Sequence, residues 1–289
     1  MLRKVIPRLL SSVPPSLRRA VIGPPNDPNF LATLAHKLLN RLNPPDSEVY
    51  DCKGPLEGYR MCIDWNHFRS FVYGTWEPDV FRALTTNVKP GMKVIDIGAH
   101  VGYYTLLFAK CVGPSGRIVS FEPFPANFTS LQRNIQLNRL QNVQALPLAV
   151  FSQVQEIAIS VPDPSADSGQ ASISRADGAE QLRMQAVTLD SFCASYGFQP
   201  DFLKMDVEGA EYDVLTGGQQ VIAEFRPKML IELHHFGGDL VAHPVPALLA
   251  KWAYDIHWLD RWENTSHILA SPAGSSLGPK SDSAIPSEM

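Results

Sequence analysis

Three short apolar runs in this chain each arrive at an acid: Val94-Ile95-Asp96-Ile97, Ile118-Val119-Ser120-Phe121-Glu122 and Phe202-Leu203-Lys204-Met205-Asp206. Runs this short, bounded by turn residues and followed by apolar residues at helical spacing, read as strands buried on both faces. From residue 93 to 235 strand and helix alternate, the pattern of a mostly parallel sheet with helices on both faces. Parallel strands deliver their carboxyl ends to one edge of the sheet, where open α/β folds bind ligands. Asp96, Glu122 and Asp206 are therefore expected together on that edge. A carboxylate buried there alone is costly, so each should accept hydrogen bonds from a ligand or from loop N–H groups.

The rest of the chain is organised around this core. Residues 1–48 read as an N-terminal helical extension, with apolar residues at helical spacing from Phe30 to Leu39. A single domain follows over 49–270, its ligand-binding core at about 90–236. Within it, Ile157–Val161 and 185–187 suggest a β-hairpin insertion or an edge addition to the sheet. Trp252, Tyr254, Ile256 and Trp258 suggest a further helix and strand that close the sheet. Residues 271–289 carry Ser, Gly and Pro without apolar periodicity and are expected to be disordered.

Composition narrows the function classes. With 25 basic against 29 acidic residues, nothing points to a nucleic-acid surface. No apolar run approaches the roughly 20 residues of a membrane span. The four cysteines, at 52, 62, 111 and 193, form no CxxC pair, which argues against zinc and for a reduced, cytoplasmic setting. Met1–Leu10 is basic and apolar, but Pro7, Pro14 and Pro15 interrupt the unbroken apolar core that a secretory signal needs.

The turn after the first strand sets the ligand chemistry. It reads Asp96-x-Gly98-x-x-x-Gly102, with no middle glycine and an acid at its start. A dinucleotide fingerprint has Gly-x-Gly-x-x-Gly and packs a pyrophosphate against the helix. An acid is a poor neighbour for a pyrophosphate and a good one for a cation. S-adenosylmethionine offers an ammonium and a sulfonium and carries no phosphate, so it is favoured over NAD. Glu122 follows at the spacing at which an acid accepts from ribose hydroxyls; the alternative is a carboxylate capping the helix that opens at Pro125.

These stretches, together with Val187-Thr188-Leu189-Asp190, Lys204-Met205-Asp206-Val207-Glu208-Gly209-Ala210-Glu211 and Leu230-Ile231-Glu232-Leu233-His234, resemble the FkbM-type family of S-adenosylmethionine-dependent class I methyltransferases. The resemblance covers roughly residues 70–236. It implies a Rossmann-like class I methyltransferase fold with a seven-stranded sheet. It also implies that Asp96, Gly98, Ala99, His100 and Gly102 line the methionine part of the cofactor. Glu122 would hold the ribose, Pro123 and Phe124 would lie near the adenine, and Trp76 and Glu77 would close over the methionine end. The family usually has Asn where this chain has His100.

Methyl transfer to a hydroxyl needs alignment and a base. His234, just past the fifth strand, is a candidate, with Asp206 and Glu208; His235 has weaker claims. Lys204, Asp206 and Glu208 alternate, which in an extended chain puts them on one side, as a paired cluster opening on the cleft. Asp206, Glu232 and His234 could converge as metal ligands at adjacent strand ends, but no tight ligand spacing supports a metal. The expected activity is O-methylation of a small-molecule or glycan acceptor. The rivals are an NAD-dependent oxidoreductase and a non-catalytic cofactor-binding module.

Overall fold

The computed structural model describes residues 47–161, 180–235, 243–262 and 264–274. The expected N-terminal helical extension lies outside them, apart from the start of the first strand. That strand, β1 (Ser47–Asp51), pairs antiparallel with β2 (Arg60–Asp64). Two helices, α1 (Trp65–Tyr73) and α2 (Pro78–Asn87), lead into the core. There follow β3 (Lys93–Ile97), α3 (Tyr103–Val112), β4 (Arg117–Phe121), α4 (Pro125–Leu137) and β5 (Val143–Leu146). Next come β6 (Ala149–Val150), β7 (Gln155–Val161), β8 (Glu180–Val187) and α5 (Leu189–Tyr196). The chain continues through β9 (Phe202–Met205), α6 (Glu211–Thr216), α7 (Gln219–Phe225), β10 (Lys228–His234), α8 (Pro244–Lys251), β11 (Tyr254–Trp258) and β12 (Thr265–Pro272).

The central sheet has seven strands in the order β11-β12-β10-β9-β3-β4-β5. β12 runs antiparallel to both of its neighbours, and the pairs among β10, β9, β3, β4 and β5 are parallel. Strand order reverses at β3, between β4 and β9, which puts the ligand edge at the ends of these strands. Successive residues face opposite sides, and both sides are apolar. Val94, Ile118, Phe202 and Leu230 meet α2 and α3, while Ile95, Val119, Leu203 and Ile231 meet α5, α6, α7 and α8. Helix α3 is buried along its whole first two turns because it lies between the sheet and the β1–β2 ribbon. Burying a side chain such as Phe108 or Leu106 there is worth about 1.5–3 kcal/mol.

The Val187–Asp190 motif has a structural role. Thr188 caps α5 by accepting from the Ser191 N–H at 3.0 Å. The Asp190 carboxylate takes the Gln220 and Val221 N–H groups at 3.1 and 2.9 Å, fixing the start of α7.

Of the two readings of residues 157–187 the hairpin insertion holds and the edge addition does not: β7 and β8 pair antiparallel and form a separate three-stranded sheet with β6. The sheet closes with two strands rather than one. β12 was not foreseen because its buried Ser266, His267 and Ser271 make it read as polar. β12 runs on to Pro272, whose register partner is Tyr254. The remainder of the expected tail, beyond 274, lies outside the described residues.

Candidate active site

The turn after β3 is built for close approach. Gly98 has φ +75°, and a Cβ there would sit 1.7 Å from the Asp206 carbonyl oxygen, so only glycine lets β3 and β9 meet. The Gly98 and Ala99 N–H groups both donate to the Phe121 carbonyl at 3.0 Å. His100 is left-handed at φ +52°, a conformation that Asn tolerates well, which accounts for the family's preference at this position. Gly102, at φ +94°, opens α3 against Leu131.

Glu122 is buried at the end of β4. One oxygen accepts from the His100 N–H at 2.7 Å and the other from the Phe124 N–H at 2.9 Å. It braces the glycine turn and the entry of α4 from the end of β4. Burial pushes its carboxyl up to about 7 against those two hydrogen bonds. Phe124 packs on the small sheet, near Ala149 and Met184. Trp76 stacks edge-on to Phe71 at 5.3 Å, within the core under α2.

Asp96 is fully buried and points to the α3 side of the sheet. There it accepts from the Thr105 hydroxyl at 2.6 Å, and Thr105 in turn meets Ser120 at 2.9 Å. Its other oxygen lies 3.7 Å from Lys204 Nζ, its partner across the β3–β9 register. The Lys204 ammonium donates to the Gly98 carbonyl at 3.0 Å and to Asp206 at 3.4 Å, below the Tyr104 ring. Burial alone would depress Lys204; Asp206 and Asp96 more than offset it. The same ammonium, with His234 and His267, holds Asp206 below the ordinary carboxylate range despite burial.

Beyond Lys204 the charges continue along the same face as a cluster around two histidines. His234 Nδ1 meets Glu211 Oε1 at 2.7 Å, and its Nε2 lies 3.4 Å from Glu208, 3.8 Å from Glu232 and 3.9 Å from Asp206. The expected cluster of Lys204, Asp206 and Glu208 therefore forms, but Glu208 reaches it through a turn and not along a strand. β9 ends at Met205, and Glu208 is left-handed at φ +51°. Glu211 also takes the Gly209 N–H at 3.0 Å. Although burial opposes it, these acids raise His234 to about 9. Burial, with Asp206 and Glu232 adding and His234 opposing, lifts Glu208 to about 8. His235 lies apart, with Nε2 3.4 Å from the Ser266 hydroxyl.

The second histidine, His267, gave no signal in the sequence. It stands opposite Glu232 in the β10–β12 register. Its Nδ1 lies 3.0 Å from both Asp260 oxygens, and its Nε2 is 3.4 Å from Glu232 and 3.6 Å from Glu77. Glu77, in turn, accepts the Tyr104 hydroxyl. Burial raises the Glu77 carboxyl, with Glu232 adding and His267 opposing. Donor atoms of Asp206, Glu232 and His234 come within 4.8 Å of one another, as do those of Glu77, Glu232 and His267. This is proximity alone, since each imidazole nitrogen there already faces a carboxylate.

A small ligand bearing positive charge and hydroxyls fits this edge. Carboxylates outnumber cations along it. Among the described residues no helix is long and apolar enough to cross a membrane.

Comparison with known proteins agrees. The chain is 26% identical to Methyltransferase 1 of Beauveria bassiana over 165 residues, 50% of this chain and 66% of that protein. It is 27% identical to methyltransferase sdnD of Sordaria araneosa, over 56% of this chain and 73% of the relative. It is 24% identical to the 2-O-methyltransferase NoeI of Sinorhizobium fredii, over 48% of this chain and 62% of the relative. The match thus spans about two thirds of these relatives' own lengths. The model of the methyltransferase FkbM domain matches residues 96–260, more than half of the chain. The chain belongs to the FkbM methyltransferase family, a class whose cofactor is S-adenosylmethionine.

Proposed function

We propose that this protein transfers a methyl group from S-adenosylmethionine to a hydroxyl oxygen of a small carbohydrate or secondary-metabolite acceptor, with His234 as general base. The observation that carries the reading is the Glu211–His234 pair at the ligand edge, with Nε2 facing Asp206, Glu208 and Glu232. The oxygen acceptor is supported by one relative's name, a 2-O-methyltransferase. The cofactor supplies an electrophilic methyl on a sulfonium. The protein's task is then alignment and removal of one proton.

Each side chain has a place in that task. Gly98, Ala99, His100 and Gly102 form the turn that takes the methionine end, and Glu77 stands opposite on the other wall. Glu122, with Pro123 and Phe124, takes the adenosine end; each carboxylate oxygen bonded to an N–H still has a lone pair for a ribose hydroxyl. Asp206 faces the cationic groups, and Asp96 acts from below through Lys204. Glu211 fixes the His234 ring so that Nε2 points into the cleft. A cation among these carboxylates offsets their charge and brings His234 down towards neutrality, where Nε2 accepts the hydroxyl proton. Glu208 is placed to take that proton onward. A cytoplasmic setting fits the four cysteines, all free thiols.

The test is formation of S-adenosylhomocysteine by the purified protein with a panel of sugars and hydroxylated metabolites, followed by mass spectrometry of the acceptor. A methyl ether is expected, and His234→Ala should lower kcat by about 10²–10⁴ while cofactor binding persists. Cofactor binding without turnover of any acceptor would favour the non-catalytic module. Full activity in His234→Ala would remove the base assignment.

A further inference from the structure

The His267 ring is held on every side. Asp260 accepts its main-chain N–H at 2.8 Å and faces Nδ1 with both oxygens, while Nε2 meets Glu232 and Glu77. Carboxylates accept hydrogen bonds and do not donate them when ionised. A ring between carboxylates on both nitrogens must donate from both, so it is an imidazolium with no lone pair to offer. That excludes His267 as a second base and leaves it as a fixed cation. Glu232 divides its two oxygens between the histidines, Oε2 towards His267 and Oε1 towards His234.

We propose that His267, locked by Asp260, is a positioning residue that holds Glu232 and Glu77 from the far wall of the cleft, so that Glu232 presents its other oxygen to His234. The inference rests on the assignment of His234 as base. It also explains why an antiparallel strand reaches the site: only β12 places a cation between Glu232 of β10 and Glu77 of the segment before α2. His234 itself is faced by Glu211, by Asp206 and Glu208 after β9, by Glu232 on its own strand and by His243 before α8.

The experiment is a histidine-resolved NMR titration of the full chain, wild type against His267→Gln, with thermal unfolding recorded to establish that the variant is folded. Loss of a nearby cation should raise the His234 midpoint by about one pH unit. His267→Lys, which restores a charge, should return it most of the way. In a Glu232→Gln background the same His267→Gln change should raise the midpoint by clearly more, because only the loss of the cation is then felt and no carboxylate is released from His234. An unchanged His234 midpoint in folded His267→Gln would overturn the proposal, as would an equal shift in both backgrounds. Should the Gln variant not fold, His267→Asn is read by the same criteria. The titration needs no acceptor, so its outcome is separate from the function itself. A shifted midpoint with an indifferent His234→Ala would retain the clamp and dismiss the base.

Discussion

The two walls of the cleft hold their carboxylates by different means. On the β3–β4 side, Glu122 is gripped by main-chain N–H groups of His100 and Phe124, and Asp96 by a hydroxyl and a buried lysine. On the β10–β12 side, Glu77, Glu208, Glu211 and Glu232 are gripped by two imidazoles. A main-chain donor cannot change its charge, whereas the His234 imidazole can. On the proposed reading the first group of strands frames the cofactor, and His234 on the second takes the acceptor's proton.

The sharpest break in that comparison is on the fixed side. Gly98→Ala puts a Cβ 1.7 Å from the Asp206 carbonyl oxygen in a left-handed conformation. It should abolish detectable S-adenosylmethionine binding by calorimetry, at a stability cost of about 1–3 kcal/mol or more from backbone strain. On the titrating side, Glu211→Gln removes the anion behind His234 while keeping an oxygen for Gly209. It should cut kcat about tenfold or more and move the acid limb of the pH–rate profile down, the direction opposite to His267→Gln. Glu122→Gln should weaken cofactor binding about tenfold with the pH profile unmoved, since one oxygen remains to accept an N–H.

The smallest effect is on stability against pH. His234 is raised in the fold to about 9 from an ordinary 6.5, so its contribution is complete below 6.5 and is lost as pH climbs through 9. Glu208, raised to about 8, acts in the same direction: the folded state retains a proton that the unfolded chain has given up above 4.5. The unfolding temperature should fall from pH 7 to pH 10 by a few degrees, and by less in a His234→Gln, Glu208→Gln double variant. A flat curve would place the titrating groups elsewhere.

The same division governs what the sequence disclosed. The frame is made of neighbours: a strand, a turn and a helix within Lys93–Val112, then an acid ten residues beyond. Local spacing therefore shows Gly98, Gly102 and Glu122, and the Lys204–Glu211 run marks its own importance by being too charged for a core strand. Which face Asp96 takes was beyond local reading, because that depends on Thr105 and Lys204 arriving from other elements. The far wall joins residues 77, 232, 234, 260 and 267, brought together by strand order alone. His267 and Asp260 stand in no motif, and the family resemblance seen in the residues ends near 236, before either. A search for histidines on a short strand with buried serines was the available signal, and it is a weak one.

Strand β12 lies between β10 and β11, although it follows both along the chain. During synthesis β11 therefore emerges with no edge to join and must wait for the eight residues of β12 behind it. On the proposed reading, the turn for the methyl donor is thus made before the strand that places a cation beside Glu232 and Glu77.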